Sequence, residues 1–317
     1  MEKRANTNYI KAIGHYVFSV PEKLRRHFEK PKNKWPTERL VMNLKKGYLH
    51  DHGRELNMDN PVLFTEKLQW YKVFYDNENL TRAVDKYLFK GYIAEKLGEG
   101  YTIPYYGVYD SVKSLIDDWS SLPDTFILKS TVQSDGRFIK VIHNKSAIDP
   151  TSLKRELKEW LIVKNTLVNS YCRAYYGAVP RIIAEKYVEQ IDNQLFDYKI
   201  FCFKGVPYCA YAAMDHFKNG TNSNEYPISF YDMEWNLLDV QYGNHKIEEI
   251  PKPIHFEQMK EIAKKLSEEF PFVRVDFFDT AESLFVAELT FYPGGGRTGY
   301  HPLDFDEELG KNFILPI

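Results

Sequence analysis

Two triplets near the end of the chain carry residue types suited to phosphate and metal chemistry: Arg274-Val-Asp276 and Glu288-Leu-Thr290. Each lies in a run that reads as a strand, Phe270–Phe278 and Leu284–Phe291. Side chains alternate faces along a strand, so Arg274 shares a face with Asp276 and Glu288 shares one with Thr290. The stretch Asp279-Thr-Ala-Glu-Ser283 reads as the turn of a hairpin. Pairing the strands would bring two carboxylates and a guanidinium into a small space. Crowded carboxylates repel unless a divalent cation holds them, and hard oxygen donors suit Mg²⁺ completed by substrate phosphates. The neighbouring Arg suits a transferring phosphoryl group. An Arg-x-Asp on a strand is also a common surface ion pair, so spacing alone leaves both readings open. The loop Tyr292-Pro-Gly-Gly-Gly-Arg297 follows the second strand. Its glycines let backbone N–H groups approach an anion, which favours the functional reading.

Further candidates lie upstream. Lys86 follows Asp85 at the start of a helix-like segment, near Lys90. Lys129 ends the apolar strand Phe126–Ser130, just before the polar loop Thr131–Arg137. A lysine in such a place acts as a point charge on a polyphosphate; the alternative for each is a snorkelling surface lysine. Glu185 sits in a mostly apolar strand and needs a partner there. An adenine amino group would serve, with the backbone of Lys186–Val188 presenting a base-pair-like edge. Asp197, before Tyr198-Lys199, is placed to accept from ribose hydroxyls.

The positioning elements read as follows. Residues 1–60 look mostly helical and polar, Val62–Phe74 is a helix, and Thr81–Leu97 is another. Strands are expected at Thr102–Tyr109, Phe126–Ser130, Phe138–Ile142 and Arg181–Val188, with helices near Val112–Trp119 and Ser152–Thr166. Hairpins follow at Tyr198–Phe203 with Val206–Ala213, and at Ile228–Tyr231 with Trp235–Val240. A helix over His255–Glu268 precedes the two carboxylate strands and a short helical tail. Hairpins with interspersed helices, rather than regular βαβ units, predict a mixed α+β architecture.

The order of the candidates matters more than any one of them. It resembles the ATP-grasp ligases, and within them the teichuronopeptide-biosynthesis (TupA-like) branch. The matching stretches are Asn60-Pro61, Thr65–Trp70, Asp85–Tyr87, Pro180–Glu185, Asp197–Phe203, Phe230–Asp232, Phe270–Asp276 and Glu288–Gly296. The resemblance implies an ATP-grasp fold in which two α/β subdomains clamp ATP, after a mostly helical N-terminal region. It suggests a division into residues 1–60, 61–125, 126–190 (a lid) and 191–317. It also implies roles. Lys86, Lys129, Ser134 and Gly136 would hold phosphates, Glu185, Lys186 and Val188 the adenine, and Asp197 the ribose. Asp276, Glu288 and Thr290 would bind Mg²⁺. Arg274 would stabilise the transferring phosphoryl group, and Lys199 would add a phosphate or substrate contact. Gly294, Gly295, Gly296, Arg297 and His301 are candidates for the acceptor carboxylate; His216 is a candidate for orienting a substrate or serving as base, with a structural histidine the favoured alternative. Two features depart from the usual superfamily pattern: Thr290 stands where Asn is usual, and the loop Ser130–Arg137 holds one glycine and an acid.

The expected reaction joins a carboxylate to an amine through an acylphosphate, using ATP and Mg²⁺. The branch implies surface-polysaccharide assembly, with a sugar uronate and an amino acid or amine as substrates. The rivals are a kinase acting on a sugar hydroxyl, a glycosyltransferase using the acidic Asp232-Met-Glu234, and a silent polymer-binding module.

The 317 residues carry 44% hydrophobic and 27% charged side chains, an ordinary globular mix. A net charge of −2 argues against a general nucleic-acid partner. The 23 Tyr and 21 Phe suit either an aromatic core, the commoner use, or a sugar-binding surface. Residues 1–34 hold nine basic and three acidic side chains, with Tyr9, Tyr16, Phe18 and Phe28 between them. That stretch reads either as an extension docking on the acidic remainder, the favoured choice, or as a peripheral membrane contact. No apolar run is long enough for a membrane span and no signal peptide is visible. Cys172, Cys202 and Cys209 lack paired spacing, which fits reduced thiols in the cytoplasm, with the inner membrane face as the alternative location.

Overall fold

Strand-spaced apolar residues build two antiparallel sheets, and the helices between them close the cores. The structure is a computed structural model that describes residues 35–132, 138–162, 171–188, 196–214, 226–280 and 282–316. The basic stretch 1–34, Ser134, Gly136 and His216 therefore lie outside the described residues.

Among the described residues four helices come first: α1 (Thr37–His52), α2 (Phe64–Phe74), α3 (Leu80–Val84) and α4 (Leu88–Leu97). Then follow β1 (Tyr105–Tyr109), α5 (Val112–Asp117), β2 (Phe126–Ser130), β3 (Ile139–Ile142), α6 (Lys154–Trp160) and β4 (Ile182–Lys186). The remainder is β5 (Phe196–Phe203), β6 (Val206–Met214), β7 (Ile228–Tyr231), β8 (Leu237–Leu238), β9 (Gln241–Tyr242), α7 (Phe256–Ser267), β10 (Val273–Asp279), β11 (Leu284–Thr290), β12 (Tyr300–His301) and α8 (Leu303–Asn312). The smaller sheet has the order β1-β4-β2-β3 and the larger β11-β10-β5-β6-β7-β8, while β9 and β12 form a short ribbon. Every pairing is antiparallel, and the helices lie between hairpins. The α+β expectation holds.

Each sheet has its own core. One cluster, with Leu115, Trp119, Phe126, Leu128, Trp160 and Ile182, fills the smaller sheet. The other joins Phe64, Tyr71 and Ile93 of the early helices to Ile200, Phe272, Val275 and Leu309. Aromatic residues crowd this second core: Phe64 packs against Phe272 at 4.9 Å and Phe272 against Phe313 at 5.4 Å. Much of the chain's aromatic content is thus core. Such rings bury large apolar areas and add edge-to-face attraction.

Helix α2 is buried on nearly every side, and its polar residues have partners. Glu66 accepts the N–H groups of Val62 (2.9 Å) and Leu63 (3.1 Å), donors that a helix start leaves unpaired. The fully buried Asp306 of α8 accepts the N–H of Thr65 (2.9 Å) and its hydroxyl (2.7 Å). In return Lys67 donates to the carbonyls of Gly310 and Phe313, both at 2.8 Å. An acid therefore meets the start of α2 and a cation the end of α8, the arrangement that helix dipoles favour.

The structure corrects one helix. The expected single helix over Thr81–Leu97 is two, α3 and α4, broken at Asp85-Lys86-Tyr87. Asp85 takes an extended backbone (ψ 116°). Its carboxylate accepts the N–H groups of Tyr87 (2.9 Å) and Leu88 (3.0 Å), capping α4. The Lys86 N–H donates to the Thr131 carbonyl (2.8 Å), which ties the joint to the end of β2. The expected helix Ser152–Thr166 is shorter in the described residues: a 3₁₀ turn Pro150–Leu153, then α6.

The closeness of α2 and α8 gives a test. A Cβ on Gly310 would lie 2.1 Å from the Val62 carbonyl oxygen and 2.9 Å from the Phe64 nitrogen, both backbone atoms. We expect Gly310→Ala to destabilise the fold by about 1–3 kcal/mol, the usual range for overpacking, read by urea unfolding.

Candidate active site

The four residues of the two triplets share one face because of an irregularity in the hairpin. In the β10–β11 ladder, Asp279, Phe278 and Phe277 face Leu284, Phe285 and Val286, but Asp276 faces Glu288 and Arg274 faces Thr290. Ala287 is the extra residue of a bulge. Had the ladder run on without it, Asp276 would face Ala287, and Glu288 would turn to the other side of the sheet. On its other edge β10 pairs with β5, with Asp276 opposite Lys199. Glu288, Asp276 and Lys199 thus form a row across three strands, and Asp197 lies two residues along from Lys199 on the same face.

The charges in this row are tightly paired. Arg274 grips Asp276 with both arms, Nε to Oδ1 at 2.7 Å and Nη2 to Oδ2 at 2.6 Å, and Nη2 also donates to the Thr290 hydroxyl at 3.2 Å. Lys199 Nζ lies 3.1 Å from Asp197 and 3.6 Å from Asp276. Burial works against the Arg274 charge, but the Asp276 carboxylate more than offsets it and holds the guanidinium pKa above its ordinary value. Glu288 acts on it in the same sense. The Tyr211 ring lies beneath both cations, 5.7 Å from the Arg274 guanidinium carbon and 5.6 Å from Lys199 Nζ.

A second charged cluster forms on the smaller sheet. Glu185 of β4 is buried, and its two oxygens are taken by two lysines: Oε1 by Lys90 at 2.5 Å and Oε2 by Lys129 at 2.7 Å. Burial would raise the Glu185 pKa, but Lys129 and Lys90 together pull it from its ordinary 4.5 to about 2. Lys86 belongs to both clusters. Burial lowers its pKa; Glu288, Glu185 and Asp85 oppose that shift and Lys129 adds to it. The carboxylate of the large sheet and the carboxylate–lysine pair of the small one therefore act on one ammonium group. Lys186 is exposed and Val188 half-buried at the end of β4; the Lys186 N–H is engaged by the Pro104 carbonyl at 2.9 Å.

The glycine loop is held from behind. Gly294, Gly295 and Gly296 all have positive φ (55°, 62° and 61°), a run that side chains with a Cβ resist. The Gly295 carbonyl accepts from Gln69 at 3.2 Å and from Lys72, and the Gly296 carbonyl accepts from Gln69 at 2.8 Å and His52 at 3.0 Å. Burial lowers the Lys72 pKa to about 8. Arg297 is exposed and pairs with Asp51 of α1 through Nε (2.5 Å) and Nη2 (2.9 Å). His301 is exposed on β12.

Several of these partners are absent from the sequence reading. Lys90 carried a faint signal, its position four residues after Lys86. Gln69, Lys72, His52 and Asp51 carried none, since they lie more than 200 positions from the loop they hold. Asp232 is a turn residue: its oxygens accept the N–H groups of Glu234 (2.9 Å) and Asn236 (2.8 Å) and the Asn236 side chain (2.8 Å). That leaves the glycosyltransferase reading without its acidic pair.

The family model described as TupA-like ATPgrasp matches residues 66–314. The chain belongs to the TupA-like ATP-grasp family. Membership carries the ATP-grasp fold with it. Similar solved structures include phosphoribosylamine–glycine ligase from Thermotoga maritima (11% identity, 69% of this chain and 50% of that one, TM-score 0.41). Others are D-alanine–D-alanine ligase from Helicobacter pylori (16%, 74% and 61%, 0.39) and a RimK domain ATP-grasp protein from Sphaerobacter thermophilus (9%, 87% and 76%, 0.39). The chain thus spans half the length of the Thermotoga enzyme. No curated protein matches it.

The residues present fit Mg²⁺. Among the described residues no group of three His, Cys, Asp or Glu side chains is placed to hold a metal. The residues that would hold the ion are the cross-strand pair Asp276 and Glu288, with Thr290 two residues along from Glu288. Two carboxylates suit an ion that draws its remaining ligands from water and phosphate. Among the described residues no helix is long and apolar enough to cross a membrane.

The Glu185 cluster predicts a pH effect. Its folded pKa lies below the unfolded one, so the stability it contributes is complete above pH 4.5 and is lost as pH falls towards about 2. We expect Glu185→Gln to be less stable than wild type at pH 7, with the gap narrowing below pH 4.5, measured by urea unfolding across that range.

Proposed function

We propose that the protein joins a carboxylate to an amine at the expense of ATP, through an acylphosphate, with a sugar uronate and an amino acid or small amine as substrates in surface-polysaccharide assembly. One observation carries this reading: the buried Lys86 feels Lys129 and Glu185 of the smaller sheet and also Glu288 of the larger, which stands beside Asp276, itself opposite Lys199 and held by Arg274. A nucleotide laid across both sheets offers each of these groups a partner of suitable charge.

In this reading Glu185 accepts from the adenine amino group, flanked by the Lys186 and Val188 backbone, and Asp197 accepts from the ribose. Lys86 and Lys129 hold the phosphates, together with Ser134 and Gly136 of the loop after β2. Asp276, Glu288 and Thr290 hold Mg²⁺. When bound, that ion supplies charge neutralisation on the phosphate oxygens. The substrate carboxylate attacks the γ-phosphorus, the bond to the β-phosphate bridging oxygen breaks, and ADP leaves. Arg274 stays charged throughout and stabilises the negative charge on the equatorial oxygens, with Lys199 beside it. The amine then displaces phosphate from the acylphosphate to form the amide. Positioning and electrostatics carry both steps, so no nucleophilic side chain is needed. In this reading the glycine loop, with Gly294 to Gly296 and Arg297, receives the acceptor, and His216 orients it. Arg297 meets an incoming carboxylate by exchanging it for Asp51.

The test is Mg²⁺-dependent ATP turnover, screened against uronic acids paired with amino acids. A substrate that turns over without amine should yield a hydroxamate when hydroxylamine is added. ADP release with a stable phosphate ester and no hydroxamate would instead establish a sugar kinase. We expect Asp276→Asn to lower turnover by about 10²-fold or more while the fold survives, since it removes charge where the transferring group is held. Unchanged turnover in that variant would sink the reading.

A further inference from the structure

Lys90 has no part in the chemistry above, yet it makes a short contact in the smaller-sheet cluster. Its ammonium group lies 2.5 Å from Glu185 Oε1 and donates to the Ile103 carbonyl at 2.7 Å. Its side chain is 9% exposed, against 16% for Lys129 and 6% for Glu185. The two lysines are not equivalent. Lys129 is the more exposed, stands at the end of β2 before the phosphate loop, and also acts on Lys86. Lys90 is fixed by a backbone carbonyl and the body of α4.

We propose that Lys90 is a positioning residue that sets nucleobase selectivity, by holding Glu185 in place when Lys129 leaves it for the nucleotide phosphates. The proposal rests on the ATP reading of this site. Once Lys129 turns to a phosphate, Glu185 would be a buried carboxylate with no counter-charge, which is strongly unfavourable. Lys90 prevents that. It binds one oxygen, keeps the group ionised and leaves Oε2 open to an N–H donor. Each carboxylate oxygen has two acceptor positions, so Oε2 has the capacity once Lys129 departs. Adenine presents an amino group at that edge. Guanine presents a carbonyl oxygen in its place, and a fixed carboxylate repels it. Without Lys90 the carboxylate would either follow Lys129 or take up a proton, and a protonated Glu185 donates as well as accepts. Discrimination between the two bases would then fall.

The experiment measures Mg²⁺-dependent binding of ATP and GTP by calorimetry, and turnover with each, for wild type, Lys90→Met, Lys90→Arg and the double variant Lys90→Met/Glu185→Gln. We expect Lys90→Met to weaken ATP binding and to shrink the ATP-over-GTP preference by about tenfold or more, because a polar site that loses its fixed acceptor loses its power to reject. KM for ATP should rise with kcat nearly unchanged, and Lys90→Arg should recover much of the preference. The double variant removes both the buried ammonium and the buried carboxylate and leaves only the more exposed Lys129 unpaired, so it keeps the comparison available if Lys90→Met does not fold. It should bind ATP and GTP with similar affinity. A preference that survives in Lys90→Met overturns the role of Lys90 alone, and one that survives in the double variant overturns the adenine role of Glu185 as well. A wild-type chain that binds both nucleotides equally overturns the adenine role of Glu185 and this proposal with it. A chain that binds neither overturns the ATP-site reading itself.

Discussion

The candidate site depends on the register of one strand. β10 is shared between β11 and β5, so its two ladders decide together what stands beside Asp276. One ladder sets Lys199 there and the other sets Glu288. The second result requires the bulge at Ala287, because side chains alternate with a period of two and a single extra residue reverses their faces. The bulge thus brings a carboxylate that would otherwise lie across the sheet to the side of Asp276, where the proposed metal site needs it.

That dependence explains what the sequence could and could not reveal. Arg274 with Asp276, and Glu288 with Thr290, were legible because each pair obeys strand periodicity. Their union was expected from pairing the two strands, but the bulge that achieves it was not, since nothing local announces one. The α+β class followed from the hairpins and from the helix at His255–Glu268, whose apolar spacing is clear. The helix break at Asp85 was hidden: Ala83-Val84 and Leu88-Phe89 continue a helical pattern, and the cap and the bond from Lys86 to Thr131 act over tertiary distance. Partners far along the chain were hidden for the same reason. Glu185 could be suspected, because a glutamate in an apolar strand needs company, but which lysines would supply it depended on the fold.

The acceptor side is built differently from the nucleotide side. Three glycines in a left-handed conformation turn the chain, and α2 fastens two of their carbonyls through Gln69 and Lys72. Helix α2 is in turn locked to α8 by Asp306 and Lys67. The loop that would meet the acceptor is therefore backed by an early helix and a late one, and its form depends on both ends of the described chain docking. A conformation so braced suits recognition better than closure.

The ion pairs around the nucleotide site share one further property. Lys129 rests on Glu185, Lys199 on Asp197, and Arg274 on Asp276. Each cation suited to phosphate is matched with an acid suited to another portion of a nucleotide: base, sugar or metal. Simple anions such as orthophosphate or pyrophosphate would have to strip these cations from their acids while giving the acids nothing to hold. Under the proposed function, a molecule with a base, a sugar and a metal-carrying tail satisfies both members of these three pairs. In the proposed reading these built-in acids make the site a poor binder of the small anions that crowd a cell.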